Sequence, residues 1–322
     1  MNYRQLTENE RYQIQVLMKA GHDQQAIAAL LERHPATISR ELRRNTGLRG
    51  YRPAQAQRLS SRRRQAATKA CKLTAEVGDW IRQLVRQELS PAQVVAYLRR
   101  RCGVCLHHET VYRFIYADQA NGGDLYQHLR VASKPYRKRY GHYDRRGRIP
   151  NRTSIHERPA VVDRRTRLGD WEGDTVMGKN RQSTLLTVVE RKSLYTRIIK
   201  LAGKQAEQLA EAAVAGLHKL KRFFRTLTLD NGLEFAAHEK LADALAVDVY
   251  FADPYASWQR GINENTNGLI RQYFPKGTDF NEVSQAEIDH VMDRLNSRPR
   301  QTRGYRTPNE ILLGQSTELL TA

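Results

Sequence analysis

Three stretches in the second half of the chain offer carboxylates at positions a fold could bring together. In "GDWEGDTVMG", Asp170, Glu172, Asp174 and Val176 alternate, so an extended strand turns them all onto one face. "LTLDNGLEF" delivers Asp230 at the end of an apolar strand. Asn231-Gly232 then turns the chain at once, so bulky residues need not cover that carboxylate. "WQRGINENTNGLIRQYF" carries Glu264 on a helix. With Glu264 set at zero, Ile262, Thr266, Leu269, Ile270 and Tyr273 fall between about 140° and 240°, which makes them core positions. Arg260, Asn267, Gly268 and Arg271 fall within about 60° of Glu264, on a stripe suited to a metal-bound phosphodiester. Acids that meet repel one another unless cations neutralise them, and hard oxygen ligands suit Mg²⁺ or Mn²⁺. Two such ions, about 3.5–4 Å apart, can activate the attacking oxygen and stabilise the leaving oxygen of an in-line displacement. Strand alternation does not choose among Asp170, Glu172 and Asp174. An ion pair of Glu264 with Arg260 or Arg271 on a solvated face is the competing reading of the helix.

These residues need a sheet with a helix laid on it. "STLLTVVER" and "YTRIIKLA" read as two β-branched strands following the first in a meander. "KQAEQLAEAAVAGLHKL" is an alanine-rich helix, "FRTLTLD" a fourth strand, "EFAAHEKLADALA" a helix and "VDVYFAD" a fifth strand. The long helix of residues 258–274 follows. Three strands and then alternating helices and strands predict an α/β core, a ribonuclease H-like mixed five-stranded sheet with flanking helices, over residues 161–322 with a helical C-terminal extension.

The first half is chemically different. The 322-residue chain has 54 Lys and Arg against 34 Asp and Glu, a net charge of +20. Residues 1–150 hold 29 of the bases and 12 of the acids, so +17 of that charge lies there. A basic half joined to a nearly neutral one points to a polyanion-binding module attached to something else. No apolar run approaches the ~20 residues of a membrane helix, and "MNYRQLTENER" lacks the apolar core of a secretory signal. Three cysteines form no disulfide framework, so a reducing cytoplasm is expected. "CGVCLHH" has a C-x-x-C and two histidines. No distant partner pair stands out for zinc, and small buried thiols around a turn are the expectation.

Start and stop signals divide this half into two all-α helix-turn-helix units, at 1–50 and 73–132. Thr7 and Glu10 are spaced as a capping box before Ile14, Leu17 and Met18, and Gly21 stops the helix. Asp23 caps a second helix with Ile27, Leu30 and Leu31. Pro35 opens a third, "PATISRELRRN", with Ile38 and Leu42 inward and Ala36, Arg40, Arg43 and Arg44 outward. Arginine suits both phosphates and guanine edges, so that face is a candidate for the major groove. A basic connector, 51–72, leads to Thr74 as a helix start with Ile81, Leu84 and Val85 inside. Ser90, Pro91 and Gln93 repeat the start signals. "HHETVYRFIYAD" supplies the third helix, with Val111, Phe114 and Ile115 inward and Arg113 a candidate DNA contact. Residues 133–160 form a basic linker whose tyrosines alternate with basic residues, suited to lie extended along DNA.

Taken together, "DWEGDTVMGK", "LTLDNGLEF", "YFADPYASWQRGINENTNGLIRQYFPKGTDF" and "RPRQTRGYRTPNEIL" resemble the transposases of the insertion-sequence-thirty family. So do "TISRELRRN" and "LSPAQVV…HHETVYRFIY". The 33 residues between Asp230 and Glu264 match that family's Asp-Asp-Glu spacing. The resemblance covers nearly the whole chain and implies that Asp174, Asp230 and Glu264 are the catalytic, metal-binding triad. Arg260 and Arg271 are the DNA-contacting candidates beside it. It further implies a cytoplasmic bacterial enzyme, associated with the nucleoid, that binds the terminal inverted repeats of its element and works as a homo-oligomer. Water attacks to release a 3′-hydroxyl, which then attacks target DNA. Ile262 and His107 stand where small polar residues are expected, and His107 puts the cap of a DNA-reading helix in question. A DNA-binding repressor and a nuclease that does not join strands are the rival functions.

Overall fold

The capping box of Thr7 and Glu10 starts helix α1 (Glu8–Lys19): Thr7 Oγ1 accepts from Glu10 N, and Glu10 Oε2 from Thr7 N. Asp23 caps α2 (Gln24–Leu30), and Pro35 occupies the first turn of α3 (Pro35–Asn45). Ile14, Ile27 and Ile38 are fully buried together, whereas Met18 and Leu30, expected inside, are exposed. The inward face is narrower than the sequence pattern suggests, and the chain supplies a fourth helix. After a two-strand hairpin, β1 (Thr46–Gly47) and β2 (Gly50–Tyr51), helix α4 (Pro53–Ala66) packs on α1 and α3. Most of the expected connector is therefore part of the unit. Its basic composition hid this, since α4 buries only Pro53 and Ala56. Buried Arg11 ties the helices, donating to Glu41 Oε1 at 2.7 Å, Leu6 O at 2.9 Å and Gln57 Oε1 at 2.6 Å.

The computed structural model describes residues 5–67, 72–130, 149–203, 205–254 and 256–320. Residues 133–148 of the expected linker lie outside the described residues. The chain divides into two units, Met1–Cys71 and Lys72–Ala322. The second contains both the second helix-turn-helix and the sheet. Helices α5 (Ala75–Arg86), α6 (Pro91–Arg101) and α7 (His108–Ala120) bury Ile81, Leu84, Val85, Leu98, Val111 and Ile115. Thr74 and Ser90 cap as expected, and His107 also caps, its Nδ1 accepting from Glu109 N at 3.3 Å.

After α8 (Ala160–Arg164) comes β3 (Asp170–Met177), then β4 (Thr184–Glu190), β5 (Thr196–Leu201), α9 (Ala206–Leu217), β6 (Thr226–Leu229), α10 (His238–Leu245) and β7 (Asp248–Phe251). The strand order is β5-β4-β3-β6-β7. β3–β4 and β4–β5 are antiparallel, while β3–β6 and β6–β7 are parallel. This is the expected ribonuclease H-like mixed sheet. One face buries Trp171, Leu186, Val188 and Leu229 against α9 and α10. The other buries Val176, Leu185 and Ile198 against α11 (Gly261–Tyr273) and α12 (Gln285–Ser297). Beyond α13 (Pro308–Leu312) the chain returns to the second helix-turn-helix, where Leu319 and Leu320 pack on its core. Leu319 N donates to the Tyr97 hydroxyl at 2.8 Å, and Glu310 pairs with Arg100 at 3.3 Å and Arg101 at 3.0 Å.

Candidate active site

The parallel pairing of β3 with β6 sets the centre of the site. Its register ends with Glu172 opposite Thr228, and two residues beyond on each chain Asp174 and Asp230 are near enough for one guanidinium to reach both. Asp230 follows directly on Leu229, the last residue of β6, and its Oδ1 accepts from Gly232 N at 3.1 Å to close the turn. One cation already reaches both acids. Arg260 Nη1 is 3.2 Å from Asp174 Oδ1, and Arg260 Nη2 is 3.6 Å from Asp230 Oδ2. Burial raises the pKa of Asp174; Arg260 opposes that and the neighbouring Asp230 adds to it.

The three same-face acids of β3 separate by what covers them. Asp170 is fully buried, paired with Arg167 at 2.9 Å and accepting from Thr226 Oγ1 at 2.9 Å. Glu172 is also fully buried, 3.4 Å from Arg191 Nε. Its Oε2 accepts from Asn263 N at 3.3 Å, so it serves the N-terminus of α11, which has no side-chain cap of its own. Burial pushes the Glu172 carboxyl up, with Arg191 opposing. Asp174 alone keeps a partly exposed carboxylate, 22% accessible. Its Oδ2 accepts from Asn267 Nδ2 at 2.7 Å, one turn along α11.

Helix α11 buries Ile262, Thr266, Leu269 and Ile270, and Glu264 stands on its exposed side. The Glu264 carboxylate bonds to no other described residue, so the competing ion pair with Arg260 or Arg271 does not form. Arg271 instead donates to three carbonyls, Met177 O at 2.5 Å, Phe274 O at 3.4 Å and Pro275 O at 3.3 Å. Burial lowers its pKa. The structure thus pairs Asp174 with Asp230 and leaves Glu264 outside that pair. Among the described residues no three His, Cys, Asp or Glu side chains form a metal-holding group, at this site or around Cys102 and Cys105. Cys102 is half-buried and Cys105 exposed. Of the DNA-contacting candidates, Arg40, Arg43 and Arg44 are exposed on α3, and Arg113 is exposed on α7, 3.6 Å from Glu109.

Comparison with known proteins adds the family. A helix-turn-helix domain model matches residues 2–45, and a homeodomain-like domain model matches residues 37–115. The chain is 42% identical to the transposase for insertion sequence element IS4351 of Bacteroides fragilis, covering 95% of this chain and 94% of that protein. It is 40% identical to transposase InsI for insertion sequence element IS30A of Escherichia coli (strain K12), covering 95% and 83%. The chain belongs to the insertion-sequence-thirty family of transposases. Among solved structures, this transposase is similar to the catalytic core domain of BIV integrase, 23% identical with a TM-score of 0.36 over 46% of this chain and 95% of that one. Two residues at its site escaped the sequence reading. Asn267 shares the Glu264 stripe, and its spacing one turn from Glu264 is the signal the sequence offers for it. Asn263 contributes its backbone N–H, for which side-chain identity carries no signal.

Proposed function

We propose that this transposase cleaves and joins DNA strands at a divalent-metal site held by Asp174, Asp230 and Glu264, with Mg²⁺ or Mn²⁺, two ions, as the cofactor. The observation that supports this best is the side-by-side placement of Asp174 and Asp230, with one positive group in reach of both. Two partly exposed carboxylates of that kind offer the hard oxygen donors such ions take. Glu264 completes the set from a helix that Glu172 and Asn267 fasten to β3. When bound, the ions supply activation of the attacking oxygen and stabilisation of the leaving oxygen.

The protein's own part is to hold DNA and water in line. Asp174 and Asp230 present their oxygens just beyond the last paired residues of the neighbouring inner strands β3 and β6, and exposed Glu264 is accessible to the incoming strand. Arg40, Arg43, Arg44 and Arg113 suit the helix-turn-helix contacts to the element's terminal inverted repeats. Arg260 and Arg271 reach a phosphodiester only by leaving their present partners. Two ends and a target imply a homo-oligomer acting on double-stranded DNA in the cytoplasm. No helix among the described residues is long and apolar enough to cross a membrane.

The deciding experiment incubates labelled inverted-repeat ends with a circular plasmid and Mg²⁺. Joined products that require all three acids and vanish with chelator are expected. Cleaved ends without joining would indicate a nuclease, and binding alone a repressor.

A further inference from the structure

We propose that Arg260 is an internal counter-ion of the catalytic carboxylate pair, holding Asp174 and Asp230 together until divalent cations take that place. This rests on the assignment of those two aspartates as metal ligands. The two acids lie just past the last β3–β6 pair and each is largely shielded from water, so they repel at close range. The guanidinium of Arg260 answers this directly. Its two terminal nitrogens divide between the acids, at 3.2 Å from Asp174 and 3.6 Å from Asp230, and Nη1 also donates to Gly173 O at 3.2 Å. Only 13% of the side chain is accessible, so the group is turned into the site rather than toward solvent.

Several features make this contact releasable. The distances exceed the ~2.7–2.9 Å of a tight charge-assisted bond. The buried Nε has no hydrogen-bond partner among the described residues. Arg260 also lies in the short 3-10 turn Ser257–Arg260, outside the α-helical ladder of α11, and is followed by Gly261. Its backbone can therefore readjust without breaking that helix. A divalent ion carries twice the charge with no side chain to immobilise. Metal binding must then displace the guanidinium, and the pair stays assembled beforehand.

The test is Mn²⁺ binding to the full chain, followed by calorimetry and by the electron paramagnetic resonance signal of free Mn²⁺. Arg260→Gln is expected to bind Mn²⁺ about tenfold more tightly than the wild type, since no ion pair has to be broken. Without metal the variant melts at lower temperature, and saturating Mn²⁺ raises its Tm by more than it raises the wild type's. Arg260→Lys, which keeps the charge but has no forked head to bridge both acids, gives an intermediate affinity and serves if Arg260→Gln does not fold. Unchanged or weaker Mn²⁺ binding in the folded variants, with wild-type binding lost in Asp174→Asn, overturns the counter-ion role and leaves the metal-ligand assignment standing. Wild-type binding no stronger than that of Asp174→Asn overturns the assignment itself, and the counter-ion role with it.

Discussion

Glu172→Gln and Asp174→Asn are expected to have opposite effects on stability and on catalysis, although the two acids share one strand face. Glu172 is fully buried, and removing one partner of a buried ion pair costs about 3–5 kcal/mol. The cost here falls below that range. Glutamine keeps an oxygen for Asn263 N–H, the Arg191 contact at 3.4 Å lacks hydrogen-bond geometry, and Arg191 retains Asp163 at 3.6 Å. Burial also disfavours the Glu172 carboxylate itself, so the loss comes from leaving buried Arg191 with only the exposed Asp163, and the net is about 1–2 kcal/mol, or a fall of about 2–8 °C in Tm for a unit of this size. Asp174→Asn removes a carboxylate disfavoured by burial and by Asp230, while an amide oxygen remains for Asn267 Nδ2. Its contact with Arg260 is partly exposed, so stability should change by no more than about 1 kcal/mol. Calorimetric melts and cleavage of a labelled DNA end, assayed well below both melting temperatures, separate the two. Glu172→Gln should melt early and still cleave; Asp174→Asn should melt normally and not cleave. Cleavage by Asp174→Asn together with a folded but inactive Glu172→Gln would show that the ligand sits one residue pair earlier on β3.

The other predictions concern the helix, the basic half and the C-terminal segment. Glu264→Gln should leave Tm nearly unchanged, because the exposed carboxylate has no partner among the described residues to lose, and should lower cleavage by orders of magnitude. Normal joining by that variant removes Glu264 from the ligand set. Arg271→Ala should cost about 1–3 kcal/mol in a melt, since three carbonyls lose their donor; an unchanged Tm with weakened DNA engagement would mean that it serves the DNA backbone alone. DNA binding should fall steeply with salt, by about 10³-fold between 50 and 200 mM for about six phosphate contacts. Arg40→Ala or Arg43→Ala should weaken it, and a preserved sequence preference marks a backbone contact. Ending the chain at Leu313 should speed hydrogen exchange in α5 and α6, which lose Leu319 and Leu320 together with the Tyr97 and Gln87 hydrogen bonds. Unchanged exchange there would show that the segment does not stabilise the helices.

What was legible in the sequence and what was not divides along the range of the interactions. Thr7 with Glu10 and Ser90 with Gln93 are caps closed within one turn, so local spacing was enough to read them. The order of strands places Asp174 near Asp230, because β3 and β6 are parallel neighbours and each acid lies two residues past their last pair. Alternation could not distinguish Glu172 from Asp174, for period two treats them identically. The start of α11 does so by covering Glu172 and leaving Asp174 partly exposed. The inward turn of Arg260 was illegible for a related reason. An angle of 100° per residue from Glu264 assumes an unbroken α-helix, but Ser257–Arg260 is a 3-10 turn and the residue itself has φ −125° and ψ 38°, so the α-helical count does not extend back to it. The stripe that seemed to place two arginines toward DNA therefore places one on the carboxylates and one on carbonyls. The glutamate bonds to no other described residue. A helix wheel fixes which face a side chain leaves from, and the partners available at that face decide where its charge goes.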